Sequence, residues 1–268
     1  MSILNLTKSP ILRLKSRVIL TGASSGIGRQ LALKYASRGY HLVLIGRRED
    51  ELKTVAEECL AKGAGEAVIG VADVSIQVDC KRVIEEAVRV LGGLDLLVLC
   101  AGIAAHILFS NVESLDIYEK LMQTNYFGYV YCTFYAFPHL RKAHGQILVV
   151  SSISGEIGLP YRSAYCGSKF AVTGFFESLR SEIDHNEIAI TIVCPPSVKT
   201  NLRANSLVGT GTESSTQISV EKCVDDILAA ADRRARKIYF PLKVYIAAYF
   251  RPFFPDLVDA RLKKAAKL

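Results

Sequence analysis

Short apolar runs alternate with longer stretches of helical spacing, and this alternation limits the fold more than any other feature of the sequence. The apolar runs occupy residues 17–22, 41–46, 67–74, 94–102, 146–152, 188–196 and, more briefly, 237–240. The stretches with helical spacing are 26–39, 49–62, 75–91, 112–139, 162–184 and 219–233. Apolar runs without polar alternation indicate strands buried on both faces, and intervening helices favour right-handed parallel crossovers. The sequence therefore predicts a single α/β domain, a Rossmann-type doubly wound parallel sheet with helices on both faces.

The chain has 268 residues, of which 50% are hydrophobic, enough to bury one large core. We expect a short N-terminal extension over residues 1–16, the Rossmann-fold catalytic domain over 17–242, and a basic, aromatic C-terminal tail over 243–268. No apolar run reaches the length of about 18 residues that a transmembrane helix requires.

The cysteine content and the net charge of the chain argue against some classes of function. The seven cysteines are spaced singly, which favours reduced thiols in a cytosol-like compartment and argues against a structural metal. The net charge of +7 would suit a nucleic-acid partner, but no combined aromatic and basic recognition motif is present. We interpret the charge as a solvated basic surface and predict no nucleic-acid binding.

A glycine-rich stretch, TGASSGIG at residues 21–28, joins the first predicted strand to the first helix. Glycines there allow a sharp turn and a close approach of the backbone to a ligand, and the following helix N-terminus attracts phosphate groups. A tight strand–helix turn without a ligand is the alternative. Because the turn closes the first βα unit, we predict nucleotide contacts from Gly22, Ser24, Ser25, Gly26, Ile27 and Gly28.

The second predicted strand ends in a pair of arginines, Arg47 and Arg48. Dinucleotide folds that prefer NAD place an acidic residue at this point to bind the ribose hydroxyls. A guanidinium instead suits a 2′-phosphate. A solvated arginine pair at a helix start is the alternative, but we predict NADP(H) as the cofactor.

The stretch SAYCGSKF places Tyr165 four residues before Lys169, so both lie on one face of a helix. Together with the glycine loop, this YxxxK pattern resembles the classical short-chain dehydrogenase/reductase family. The family's catalytic serine matches Ser152 in VVSSISG, and its catalytic asparagine matches Asn125 in MQTNYFG. The matches run in order over residues 17–205.

The resemblance implies hydride transfer to or from a carbonyl carbon. Tyr165 would act as the acid or base, with its pKa lowered by the ammonium of Lys169, which would also hold the nicotinamide ribose. Ser152 would orient the substrate oxygen, and Asn125 would hold a water that links Lys169 to solvent.

The resemblance extends less closely to further cofactor contacts. CAG at residues 100–102 is similar to the family's NNAG motif, with Leu99 and Cys100 replacing the asparagines that brace the sheet. PPSVKTN is similar to the segment that meets the nicotinamide, with Pro196 replacing a glycine. The additional implied cofactor contacts are Asp73, Val74, Ala101, Gly102, Pro195, Val198 and Thr200.

The residues in and around these motifs are most similar to the branch of the family that contains hydroxysteroid dehydrogenases, acyl-dihydroxyacetone-phosphate reductases and 3-ketosphinganine reductases. It implies a lipophilic carbonyl or alcohol substrate, with residues 201–218 as a mobile lid. Assembly as a homodimer or homotetramer, through the helices after the fourth and fifth strands, is also implied.

The basic tail is typical of a helix that lies on an anionic membrane, or of one that packs on the body or on a partner subunit. Its last residues, AKL, resemble a peroxisomal address, so we expect either a peroxisome-type organelle or the cytoplasm.

The leading hypothesis is an NADPH-dependent reductase of a lipid-like ketone, or the reverse alcohol oxidation. A 3-oxoacyl-thioester reductase is the alternative among enzymes. An NADPH-sensing binding protein without turnover is the alternative from another class.

Overall fold

A computed structural model describes residues 16–200, 202, 206–209, 217–240, 246 and 248–266. Its centre is a seven-stranded, fully parallel sheet with the order β3-β2-β1-β4-β5-β6-β7. The strands are β1 Arg17–Thr21, β2 His41–Gly46, β3 Glu66–Val71, β4 Leu96–Leu99, β5 Gln146–Val150, β6 Ala189–Cys194 and β7 Lys237–Tyr239. The strand order reverses direction between β1 and β4, which is where open α/β sheets bind ligands. The predicted Rossmann-type α/β domain is confirmed.

Helices cover both faces of the sheet. They are α1 Gly26–Ala36, α2 Glu49–Ala61, α3 Gln77–Leu91, α4 Asp116–Met122, α5 Gly128–Ala143, α6 Ser163–Glu182, α7 Val220–Asp232 and α8 Pro255–Ala266. Successive strand residues point to opposite faces. Leu20 accordingly packs in one apolar layer with α1, α2 and α7, whereas Ile19 packs in the other with α3, α5 and α6.

Some details of the predicted elements differ. The predicted helical region 112–139 is observed over residues 116–143, with a π-helical turn, Gln123–Phe127, between α4 and α5. β3 is only half-buried because it lies at the sheet edge, where one side is not covered by a neighbouring strand. Every strand except β2 also ends one to three residues earlier than predicted, because the chain leaves the sheet to form loops.

Some predicted segments lie wholly or largely outside the described residues: the N-terminal extension except Ser16, most of the 201–218 loop, and the last two residues of AKL. All seven cysteines are described and are free thiols. Among the described residues, no helix meets the length and apolarity that crossing a membrane demands, and no cluster of metal-ligating side chains occurs.

Candidate active site

A cleft of about 560 Å³ opens at the carboxyl ends of the strands, around the reversal between β1 and β4. All the predicted cofactor-contacting residues line it, and so do the predicted catalytic Ser152, Tyr165 and Lys169. The cofactor-contacting set comprises Gly22, Ser24, Ser25, Gly26, Ile27, Gly28, Arg47, Arg48, Asp73, Val74, Ala101, Gly102, Pro195, Val198 and Thr200, together with Tyr165 and Lys169. The structure therefore brings residues from seven separate segments of the chain to one site.

The glycine loop is too tightly packed for side chains at two of its positions. Gly22 has a φ of +72°, and a Cβ there would lie 2.7 Å from the Cα of Ala101. A Cβ on Gly28 would lie 2.1 Å from the carbonyl oxygen of Gly22. The first turn of α1 carries no acidic residue, and Ser25 makes no side-chain cap there. The backbone N–H groups and the positive end of the helix dipole thus remain for an anionic ligand.

Thr21 braces the loop that replaces the NNAG motif. Its Oγ1 accepts hydrogen bonds from the backbone N–H groups of Cys100 (3.1 Å) and Ala101 (3.2 Å). Burial raises the pKa of the Cys100 thiol to about 12, so this thiol stays protonated and packs as a small apolar group. The hydrogen bonds to Thr21 of β1 thus fix the loop after β4 although the two asparagines of the NNAG motif are replaced.

The two arginines after β2 form a basic corner of the cleft. Arg48 donates from Nη2 to the Oγ of Ser24 (2.9 Å), which joins the end of β2 to the glycine loop. Arg47 lies 3.6 Å from the carboxylate of Asp73, and its side chain is 63% exposed. Each guanidinium has five N–H donors, so both keep donors for a ligand. This donor set fits a phosphate group at the end of β2.

Tyr165 and Lys169 share one face of α6, as predicted. The Tyr165 hydroxyl is hydrogen-bonded to Ser152. Lys169 is only 4% exposed. It donates from Nζ to the carbonyl oxygen of Val150 (3.1 Å), and burial lowers its pKa from 10.5 to about 8. At neutral pH the lysine therefore keeps its charge at the floor of the cleft, although burying that charge costs the folded state free energy.

The predicted lowering of the Tyr165 pKa by Lys169 is wrong for this arrangement. Burial raises the pKa of Tyr165 above 10, and the hydrogen bond from Ser152 and the charge of Arg162 only partly oppose it. The ammonium of Lys169 lies 6.0 Å from the centre of the Tyr165 ring and bonds to Val150 instead. Spacing along a helix places the two side chains on one face but does not fix where their ends point.

Asn125 lies in the π-helical turn, fully buried, and is not among the cleft-lining residues. Its Oδ1 accepts from the N–H of Ile103 (2.9 Å). Its Nδ2 donates to the carbonyl oxygen of Ile103 and to the Oγ of Ser168, each at 3.0 Å. The side chain thus ties the loop after β4 to α6, and its expected role in holding water remains a prediction.

Sequence reasoning missed two residues beside the predicted catalytic set. Tyr129 is buried beneath Lys169, with its ring centre 5.2 Å from Nζ, and its hydroxyl donates to the carbonyl oxygen of Val150 (3.1 Å). Arg162 lines the cleft three residues before Tyr165. The four-residue spacing from Asn125 to Tyr129 was a usable signal, because it puts both on one helical face.

Separate segments contribute the other cleft-lining residues, of which the sequence singled out Cys100 and Pro196 as departures from family motifs but predicted no role for the rest. The full set of these other residues is Gly46, Ala72, Cys100, Ile103, Ala104, His106, Thr124, Val150, Ser151, Pro196, Ser197 and Leu202.

Comparisons with known proteins agree with this geometry. The sequence model of the short chain dehydrogenase family matches residues 16–208. An 11-beta-hydroxysteroid dehydrogenase from Pinus massoniana is 37% identical over 255 residues, covering 90% of this chain and 71% of the pine protein. The 11-beta-hydroxysteroid dehydrogenase-like 4A protein of Arabidopsis thaliana is 35% identical over 250 residues, covering 92% and 83%.

Among solved structures, a short chain dehydrogenase/reductase from Burkholderia phymatum in complex with NAD superimposes with a TM-score of 0.82. It is 22% identical, and the match covers 91% of this chain and 95% of that one. At this identity the likeness concerns the fold.

Proposed function

Because this chain belongs to the short chain dehydrogenase family, we propose that it is an NADPH-dependent oxidoreductase that reduces a lipophilic carbonyl compound, or oxidises the corresponding alcohol. The observation that carries the proposal is the meeting of Ser152, Tyr165 and Lys169 in the cleft that the glycine loop also lines. The names of the pine and Arabidopsis relatives, which refer to hydroxysteroids, support a lipophilic substrate.

The residues that line the cleft support a phosphorylated dinucleotide as the cofactor. The glycine loop and the N-terminus of α1 would hold the pyrophosphate, and Arg47 and Arg48 would hold the 2′-phosphate beside Ser24. When bound, the nicotinamide supplies or accepts the hydride.

The protein's own groups position the substrate and move the proton. Ser152, which is hydrogen-bonded to Tyr165, would orient the substrate oxygen. The raised pKa of Tyr165 keeps its phenol protonated at neutral pH, so Tyr165 donates a proton to that oxygen during reduction. The buried ammonium of Lys169 adds positive charge beside the developing alkoxide.

The cofactor preference is tested by binding. Purified protein is expected to bind NADPH more tightly than NADH, and Arg47→Ala is expected to remove most of the difference by weakening NADPH about tenfold, as loss of one charged hydrogen bond implies. The control is Arg89→Ala, which removes an exposed arginine of α3. Equal affinity of the wild type for both cofactors would defeat the NADP assignment.

Turnover is tested by NADPH oxidation against a panel of steroid ketones, acyl-dihydroxyacetone phosphates, ketosphinganine and acetoacetyl thioesters. Tyr165→Phe is expected to abolish turnover while cofactor affinity stays within about twofold, because only the acidic hydroxyl is removed. Preference for the thioester would favour the 3-oxoacyl alternative. Tight NADPH binding without turnover of any carbonyl or alcohol would favour the binding-protein alternative.

We further propose a homodimer or homotetramer assembled through α5 and α6. Phe134 on α5 is 69% exposed, and Phe170 on α6 is 45% exposed. Large exposed aromatic side chains on adjacent helices are typical of subunit contacts. Sedimentation of the wild type and of Phe134→Glu tests the assembly, and a wild type that remains monomeric at micromolar concentration would contradict it.

The C-terminal tail supports a peripheral membrane contact. Tyr249 packs edge-on against Tyr239 of β7 at 6.2 Å between ring centres, so the tail touches the body. Phe250, Phe253 and Phe254 remain exposed, and α8 adds basic residues in its last turn. Deleting residues 244–268 is expected to weaken binding to anionic liposomes; unchanged binding would favour a tail that only packs on protein.

For localisation, we propose import into a peroxisome-type organelle through AKL. A fluorescent fusion with and without these three residues tests it, and a cytoplasmic pattern for both would refute it.

A further inference from the structure

Arg162 is a cleft-lining cation whose side chain has no ion-pair or hydrogen-bond partner among the described residues. It is the residue immediately before α6, three positions ahead of Tyr165, and is half-buried. Arg47 and Arg48, the other arginines of the cleft, contact Asp73 and Ser24 respectively. Within the described parts of the chain, the guanidinium of Arg162 makes neither an ion pair nor a hydrogen bond.

The surroundings of Arg162 add positive rather than negative potential. α6 has 20 residues, carries no acidic residue in its first turn and has no side-chain cap, so the positive end of its dipole is not neutralised there. Among described residues that line the cleft, Asp73 is the single carboxylate, and it lies beside Arg47 on the loop after β3. Among the described residues, no carboxylate therefore lines the part of the cleft near Tyr165.

Apolar residues also line the part of the cleft around Tyr165. Ala104 and Tyr165 belong to one apolar cluster, against which Ile103 packs. Residues 206–208 run beside it, since the N–H of Leu207 donates to the carbonyl oxygen of Ala104 at 2.8 Å. A half-buried guanidinium loses hydration, and only a paired anion restores the lost interaction energy.

From this arrangement we propose that Arg162 binds the anionic group of an amphiphilic substrate, so that the natural substrate is a lipophilic carbonyl compound carrying a carboxylate or phosphate rather than a neutral ketone. The inference rests on the proposed reductase function. Arg162 is then a residue that determines specificity. A guanidinium suits either anion because its N–H groups pair with two oxygens at once.

The test uses substrate pairs that share the carbonyl and differ in charge. One pair is a long-chain keto acid and its methyl ester, and the other is acyl-dihydroxyacetone phosphate and its dephosphorylated form. The wild type is expected to reduce one anionic member at least tenfold more efficiently, in kcat/KM, than its neutral partner. Which pair shows the preference identifies the carboxylate or the phosphate.

Substitutions of Arg162 test whether this residue causes the preference for the anionic substrate. Arg162→Gln is expected to lower kcat/KM for the anionic member about tenfold or more beyond any change in kcat/KM for the neutral member, because a charge-assisted hydrogen bond is lost only with the anion. Arg162→Lys keeps the charge and is expected to retain part of the preference. Arg89→Gln, which changes an exposed arginine remote from the cleft, is the matched control.

A binding measurement separates the inference from the proposed function. In the NADP-loaded protein, decanoate is expected to bind more tightly than decanol, and Arg162→Gln is expected to erase that difference. Turnover with equal kcat/KM for charged and neutral partners, or an equal loss for both in Arg162→Gln, overturns the inference. Absence of turnover with every pair overturns the reductase function, while the decanoate comparison still decides the role of Arg162.

Discussion

Replacing Lys169 with methionine is expected to make the cofactor-free protein more stable at neutral pH. The ammonium of Lys169 is buried, with a single hydrogen bond to Val150. Burial lowers its pKa from 10.5 to about 8. Each tenfold change in the protonation equilibrium corresponds to about 1.4 kcal/mol, so burial of the charged lysine destabilises the folded state by up to about 3 kcal/mol. Methionine keeps most of the side-chain volume and removes the charge.

The stability difference depends on pH because the folded and unfolded states bind the proton of Lys169 with different affinity. Below pH 8 both the folded and the unfolded state carry the proton, and the folded state bears the full cost. Between pH 8 and 10.5 the unfolded state binds more protons, so the stability of the wild type rises with pH. The advantage of Lys169→Met is therefore largest at pH 7 and decreases toward zero as the pH approaches 10.5.

Urea denaturation at pH 7, 8, 9 and 10 measures this difference. Lys81→Met, an exposed lysine of α3, is the matched control and is expected to show no such trend. A difference between the wild type and Lys169→Met that does not change with pH would refute the reasoning. A methionine variant that is less stable at pH 7 would do the same. Lys169→Met is expected to be inactive, since the buried charge that destabilises the protein is the charge that the proposed reaction needs.

Three further predictions concern the cleft. Because burial lowers the pKa of Lys169 to about 8, carbonyl reduction is expected to slow between pH 7 and 9 as the ammonium loses its proton, and because burial raises the pKa of Tyr165, alcohol oxidation, which needs the phenolate, is expected to rise over that range; rates of both reactions that do not change with pH contradict this. Tyr129→Phe keeps the ring that lies 5.2 Å from the ammonium and is expected to retain most turnover, whereas Tyr129→Leu loses about tenfold or more in kcat; equal losses would show that the ring does not position Lys169. Gly28→Ala would place a Cβ 2.1 Å from a backbone oxygen and is expected to weaken NADPH binding at least tenfold, whereas Gly174→Ala, with open space around it, serves as the control; unaltered binding by Gly28→Ala would contradict the tight packing of the loop.

Patterns that are local in the sequence predicted the larger part of the fold and of the cleft. Seven strands were predicted because buried parallel strands consist of short apolar runs, and all seven pair in one sheet. The glycine loop, Arg47 and Tyr165 were identified by their places at strand ends or on a helix face, and all line the cleft. Such features depend on neighbouring residues and on the common edge that parallel strands share.

The tertiary structure decided what depends on distances between separate segments. It placed Asn125 in a π-helical turn, where its amide bonds to Ile103 and Ser168. It reversed the expected pKa shift of Tyr165, because desolvation depends on everything packed around the ring. It also left the side chain of Arg162 without a partner in the described part of the chain. A sequence fixes which chemical groups are present and their local conformation, whereas only packing of distant segments sets the solvation and pairing of each group.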